Sequence, residues 1–208
     1  MINLKNICMK INEQTILEDI SLNLESGKCY GFVGNNGCGK TMLLRAICGY
    51  KNIDSGTVEI NNKIIGKDVD FIDDAGIIIG EMQFMNALSG FDNLKILAEI
   101  KKKITDKEIL EIMKIFGIYG ARQKKVKKYS LGMKQRLRLA QAFMEEPKIL
   151  ILDEPFNGLD KDGIAEVQAQ ILSQKRKGNT ILLTCHDDRN INLLCDEVYE
   201  MDNGRIIS

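Results

Sequence analysis

The sequence predicts an α/β fold: a core with a mostly parallel sheet, an N-terminal antiparallel β subdomain and an inserted helical subdomain. Three observations carry this prediction. A glycine-rich phosphate loop lies between an apolar strand and a helix within residues 29–48, the arrangement expected of a P-loop NTPase core. Helical periodicity fills residues 84–146, and strand-like apolar runs return from Ile149 onward. The expected division is therefore one domain over 1–208, with the core and β subdomain at 1–83 and 147–208 and the helical subdomain at 84–146.

The elements follow in order. Ile16 to Leu24 alternates in part, as a half-buried strand does, and the first segment reads as antiparallel strands. Cys29-Tyr30-Gly31-Phe32-Val33 is a continuous apolar run, which suits a strand buried on both faces. Gly34-Asn35-Asn36-Gly37-Cys38-Gly39-Lys40-Thr41 follows it, and Met42 to Cys48 continues as a helix. Thr57-Val58-Glu59-Ile60 and Lys63-Ile64-Ile65 can pair across an Asn61-Asn62 turn. In the helical stretch, Thr105 and Glu108 form a capping box, and Ile109, Ile112, Met113 and Phe116 recur at helical spacing up to Gly117, a C-cap. A later helix carries Met133, Leu137, Ala140 and Met144 on one face and stops before Pro147; both stripes read as core. Ile149–Leu152 and Thr180–Thr184 read as strands, and Val198–Ile207 folds about Asp202-Asn203-Gly204 as a hairpin.

Composition bounds the function. The chain has 208 residues, enough for one well-buried core. Its 29 basic and 29 acidic side chains balance, so charge predicts neither nucleic-acid nor membrane-surface binding. No apolar stretch approaches the roughly 18 residues needed to span a bilayer, and Asn3 and Lys5 interrupt any signal-peptide core. The six cysteines, Cys8, Cys29, Cys38, Cys48, Cys185 and Cys195, are scattered without a C-x-x-C pair, which suits thiols in a reducing cytosol. The expectation is a protein inside the cell that meets a membrane only through a partner.

The phosphate loop has the full G-x-x-x-x-G-K-T spacing. Its glycines let successive N–H groups turn toward a phosphate chain, Lys40 adds a point charge near the β and γ phosphates, and the Thr41 hydroxyl can ligate Mg²⁺. Asn35, Asn36, Gly37, Cys38, Gly39, Lys40, Thr41 and Met42 are the expected nucleotide contacts. Downstream, Ile149-Leu150-Ile151-Leu152-Asp153-Glu154 is an apolar strand ending in two carboxylates at the edge where phosphates bind. Asp153 is placed to hold Mg²⁺, and Glu154 is the candidate general base for an attacking water. His186, the one histidine, ends the strand Ile181–Thr184, well placed to contact a γ-phosphate or order the water. Ser130, Leu131, Gly132 and Met133 open a helix whose first N–H groups seek an anion.

The ordered set of phosphate loop, Tyr-Ser-Leu-Gly-Met-Lys-Gln-Arg, Ile-Leu-Asp-Glu-Pro, Asn157-Gly158-Leu159-Asp160 and His186 resembles the ATP-binding-cassette (ABC) ATPases over nearly the whole chain. The resemblance implies ATP and Mg²⁺ as cofactors, a head-to-tail pair of cassettes (homodimer or heterodimer), and a separate membrane permease powered by ATP hydrolysis at the cytoplasmic face. In such a pair Ser130-Leu131-Gly132-Met133-Lys134 would be the signature segment, capping the γ-phosphate held by the other chain. Asp160 would belong to the loop crossing the seam, and His186 would be the switch on the γ-phosphate. The Tyr-Ser-Leu-Gly-Met form looks most like bacterial peptide-antibiotic export and immunity cassettes.

The chain departs from the family pattern at three places. The aromatic ring that stacks on adenine is replaced by Ile11, and no Phe, Tyr or Trp precedes Tyr30. Stacking on a base is worth about 1–3 kcal/mol, so its loss corresponds to about 5–150-fold in affinity and predicts weak discrimination of ATP from GTP. The usual Gln between strand and helical part falls at Gly80, which makes the adjacent Glu81, ahead of Gln83, the candidate for its role. Cys38 within the phosphate loop, beside Lys40 and a helix start, is expected to block nucleotide binding when alkylated. The lysine clusters 101–103 and 124–128 read as solvated faces of the helical part.

Two other readings stand beside the transport ATPase. A regulatory cassette that binds nucleotide but barely hydrolyses it draws on Ile11 and Gly80, against the presence of Lys40, Asp153, Glu154 and His186. A soluble nucleotide-gated clamp would need a long coiled-coil insertion, two cassettes in one chain or a basic groove, none of which the sequence offers. A Ras-type GTPase lacks its Asn-Lys-x-Asp guanine motif.

Overall fold

The computed structural model describes residues 1–80 and 84–208. Ten strands and six α-helices alternate among these residues. β1 (Ile2–Ile11) and β2 (Gln14–Leu24) form a long hairpin, and β4 (Ser55–Ile60) and β5 (Lys63–Ile64) extend it into a four-stranded antiparallel sheet ordered β2-β1-β4-β5. The hairpin between β4 and β5 turns at Asn61 and Asn62, whose φ values of 50° and 64° give the paired left-handed turn that matches strand twist.

Between them β3 (Cys29–Val33) delivers the phosphate loop to α1 (Lys40–Cys48). β6 (Ala75–Ile78) is followed by α2 (Gly90–Lys101), α3 (Asp106–Ile115) and α4 (Leu131–Phe143), then by β7 (Ile149–Asp153), α5 (Lys161–Arg176), β8 (Thr180–Thr184), α6 (Asp188–Leu194), β9 (Glu197–Asp202) and β10 (Arg205–Ile206). The second sheet runs β10-β9-β3-β8-β7-β6; four of its five pairings are parallel, and the fifth is the antiparallel β9–β10 hairpin, which turns at Asn203 and Gly204 with φ 44° and 79°.

Alternation along the central strands builds two cores. Leu150, Leu152, Ile181 and Leu183 face Leu94, Phe116, Leu137 and Phe143 of the helical part and its neighbours. Ile149, Ile151 and Leu182 face α1 and the antiparallel sheet, where Ile2, Leu4, Leu43 and Ile47 are buried. The α3 stripe behaves as expected: Thr105 and Glu108 cap each other, Ile109, Met113 and Phe116 are buried, and Gly117 follows the helix with φ 62°. Leu137, Ala140 and Met144 of the α4 stripe are buried and Met133 is partly so. Helices α2, α3 and α4 follow one another between β6 and β7, and the site forms at the C-terminal ends of β3, β7 and β8.

Candidate functional site

Gly34 starts the loop in a conformation no other residue could share: its φ is 138°, and a Cβ there would stand 2.2 Å from the Met201 carbonyl. The β9–β10 hairpin braces the loop from below, since Gly204 N–H donates to the Cys38 carbonyl at 2.9 Å. Gly39, φ 112°, caps α1 without a side chain, so the helix start is open toward the crevice. Lys40 is buried and lies along the loop, donating to the Gly34 carbonyl at 2.6 Å and the Asn35 carbonyl at 3.1 Å. Its Nζ is 3.7 Å from Cys38 Sγ, and that thiol is buried behind the loop.

The Thr41 hydroxyl donates to Asp153 Oδ2 at 2.8 Å, linking α1 to the end of β7. Thr184 at the end of β8 donates to Asp153 Oδ1 at 2.7 Å and accepts the Glu154 N–H at 2.9 Å. Glu154 holds a φ of 50°, uncommon for a residue with a side chain. Its Oε1 stands 3.1 Å from His186 Nε2, within ion-pair reach but poorly aligned for a hydrogen bond. Burial pushes the Glu154 carboxyl above its ordinary value; His186 and Lys40 oppose that shift while Asp153 adds to it. His186 is half exposed, at 52% of its side chain, facing the opening.

These groups share one crevice of about 270 Å³, lined by Asn36, Gly37, Gly39, Lys40, Thr41, Met42, Asp153, Glu154 and His186, with Ile16 from β2. The oxygen pair of Thr41 and Asp153 is the hard donor chemistry that suits Mg²⁺. Asn35 is an exposed loop residue outside this lining. Ile11 is 38% exposed at the end of β1, and of the first hairpin's described residues Ile16, not Ile11, reaches the crevice. Cys38 lies behind the loop and not on the lining.

Ser130, Leu131, Gly132 and Met133 are not on that lining either. Ser130 caps α4 by accepting the Met133 N–H, and Leu131 is 75% exposed. A Cβ on Gly132 would stand 2.7 Å from the Gly158 carbonyl, so this helix start packs against the loop after β7. Asp160 caps α5 through Gly163 N–H at 3.1 Å and pairs with Arg136 Nη2 at 2.9 Å, and both contacts hold its carboxyl below the usual range. Arg136 also contacts Glu166 and donates to the Phe116 carbonyl at 3.1 Å. Glu81 and Gln83 lie outside the described residues. Gly80 is described, with φ 60°, and its carbonyl accepts from Arg138 Nη2.

Sequence reading missed Thr184, Gln135, Arg136 and Ile16. Thr184 left one signal, a hydroxyl directly after the apolar run Ile181–Leu183. Gln135 and Arg136 close the Tyr-Ser-Leu-Gly-Met-Lys-Gln-Arg segment quoted above, but the roles of these two residues depend on partners 20 to 30 positions away, which that segment does not show.

The chain matches the family described as ABC transporter over residues 17–157. It is 44% identical over 206 residues, 99% of this chain and 94% of the relative, to YybJ of Bacillus subtilis, described as an uncharacterized ABC transporter ATP-binding protein. It is 32% identical to the bacitracin transport ATP-binding protein BcrA of Enterococcus faecalis, covering all of this chain and 68% of that one. A lantibiotic transport ATP-binding protein, SrtF of Streptococcus pyogenes, is 33% identical over all of this chain and 89% of its own length. Among solved structures, the dimeric post-hydrolysis state of the ATP-binding cassette MJ0796 bound to ADP and Pi superposes with a TM-score of 0.89 at 21% identity, covering 100% of this chain and 97% of that one, a likeness of fold.

Proposed function

The chain belongs to the ABC transporter family as an ATP-binding subunit, and on that premise we propose that it hydrolyses ATP in head-to-tail pairs to power a separate membrane permease. One observation carries the reading. Lys40, Thr41, Asp153, Glu154 and His186 line a single crevice, while Ser130–Met133, the other anion-seeking group, open a helix elsewhere on the same chain. A phosphate held by the first group needs a second chain to receive the other.

In this reading the loop N–H groups and Lys40 bind the phosphate chain, and Thr41 and Asp153 hold Mg²⁺, which offsets phosphate charge when bound. Thr184 orients Asp153 and pins the backbone of Glu154. Glu154 takes the proton of the attacking water, and His186 faces the γ-phosphate from the opening. Asp160, held by Arg136, ties the seam loop to the signature helix of its own chain. The exposed Leu131 faces the partner chain.

The permease docks, in this proposal, where the core meets the helical part. A groove of about 310 Å³ lies there, lined by Tyr50, Ile77, Ile79, Leu97 and Ile100 among others, and Tyr50 and Ile100 are exposed beside it. No described helix is long and apolar enough to cross a membrane, which supports a membrane role through that partner at the cytoplasmic face. The bacitracin and lantibiotic relatives support a peptide antibiotic or similar amphiphile as cargo. The direct test is steady-state ATP turnover: Lys40→Ala and Glu154→Gln should each lose at least about 100-fold in kcat, and turnover undiminished by either would refute the assignment.

A further inference from the structure

Gln135 is 4% exposed, and both ends of its side-chain amide are engaged. Nε2 donates to the Pro155 carbonyl at 2.7 Å, and Oε1 accepts from Arg138 Nη1 at 3.1 Å. Arg138 Nη2 donates in turn to the Gly80 carbonyl, two residues beyond β6. A continuous hydrogen-bonded chain therefore runs from Gly80 through Arg138 and Gln135 to Pro155, the residue covalently joined to Glu154. The Glu154 backbone, with its positive φ, is fixed from β8 through Thr184 on one side and from α4 through Gln135 on the other.

We infer that Gln135 and Arg138 are positioning residues for Glu154, and that a displacement of the strip at Gly80 reaches the carboxylate through them. The inference rests on the proposed hydrolysis with Glu154 as base. Its physical ground is geometric. A general base works only within hydrogen-bond reach of its water, and a misplacement of about 1 Å costs on the order of 10²-fold. Gln135 is a buried amide whose two bonds are directional, so moving one partner moves the other or leaves a buried polar atom unpaired. Ile79, beside Gly80, lines the groove proposed for the permease, which puts the outer end of the relay next to that partner.

The test is ATP turnover by the full chain carrying Gln135→Leu, Arg138→Met, both together, or Arg138→Lys, with nucleotide affinity and melting temperature measured alongside. Each single change should lower kcat about tenfold while KM and nucleotide affinity stay within about twofold, the signature of an effect on the chemical step. Because the two act in series, the double variant should be no slower than the slower single one. Arg138→Lys should recover part of the loss, since an ammonium can still reach the Gly80 carbonyl. Arg138 is only partly buried, so its variants remain informative if Gln135→Leu melts early. Losses that multiply to about 100-fold in the double variant, or folded single variants with full kcat, would overturn the relay. Wild-type protein that hydrolyses no ATP, alone or with its permease, would instead overturn the function on which the relay rests.

Discussion

The Thr184 hydroxyl donates to Asp153 Oδ1 at 2.7 Å while accepting the Glu154 N–H at 2.9 Å, so one side chain on β8 sets two consecutive carboxylate residues at the end of β7. Thr184→Val keeps the shape but leaves the Glu154 amide without that acceptor. The expected cost is about 1–3 kcal/mol of stability, together with roughly a tenfold loss of kcat from a displaced base. Thermal unfolding and steady-state turnover check both; Thr184→Ser should retain most of each.

Glu154 yields a pH prediction of defined sign. Burial raises its folded-state pKa above the ordinary 4.5, so the charged form is disfavoured by folding. Stability from this group is therefore full below the unfolded value and is lost as pH rises through the folded one. Glu154→Gln should be neutral to stabilising at pH 7, and that advantage should vanish below about pH 4.5 as the wild-type acid protonates. Melting curves of the two proteins across pH test the sign; a Gln variant less stable at pH 7 than at pH 4, relative to wild type, would contradict it. Turnover should fall on the acid side at a higher pH than for an ordinary carboxylate.

Base selectivity should be poor. The aliphatic Ile16 is the first hairpin's contribution to the crevice among the described residues, and Ile11 is not on its lining. Without a ring to stack on, GTP should compete with ATP at comparable concentration, within about fivefold. Competition binding measures it, and a clear exclusion of GTP would refute it. Ile16→Tyr, at the hairpin position that lines the crevice, asks whether an aromatic can be restored, with tighter ATP binding the expected outcome.

Cys38 lies buried 3.7 Å from the Lys40 ammonium. A small thiol reagent should therefore modify it slowly, abolish nucleotide binding once attached, and be excluded by bound ATP. Mass spectrometry of Cys38 with and without Mg-ATP checks the protection, and equal labelling in both would contradict it.

Much of this site was legible because its signals are local. The phosphate loop, the Asp153-Glu154 strand end and His186 each follow an apolar strand, and the parallel sheet brings those three strand ends side by side. Capping chemistry marked α3, and the Asn-Asn and Asn-Gly pairs marked the β4–β5 and β9–β10 hairpins, since each turn needs two positive φ values. Other features depend on tertiary approach. Gly76 in β6 lets the Ala142 carbonyl come within 1.9 Å of where a Cβ would stand, so a strand of only four residues, Ala75–Ile78, carries α4. That close contact is invisible in an Ala-Gly-Ile-Ile string. The roles of Thr184, Gln135 and Arg136 lie in partners 20 to 31 positions distant, and the place of Ile16 depends on the close approach of its carbonyl to Gly39 of the loop, 3.0 Å from where a Cβ would stand.

The most direct test of the account is the solution mass of purified Glu154→Gln protein with and without Mg-ATP. Blocking the proposed base should trap the state in which each signature segment at Ser130–Met133 caps the ATP held by the other chain's phosphate loop. A monomer that becomes a dimer only when Mg-ATP is added is the predicted result. A monomer at saturating Mg-ATP would contradict the self-sufficient head-to-tail pair and point to a different second cassette or to the permease as the missing half.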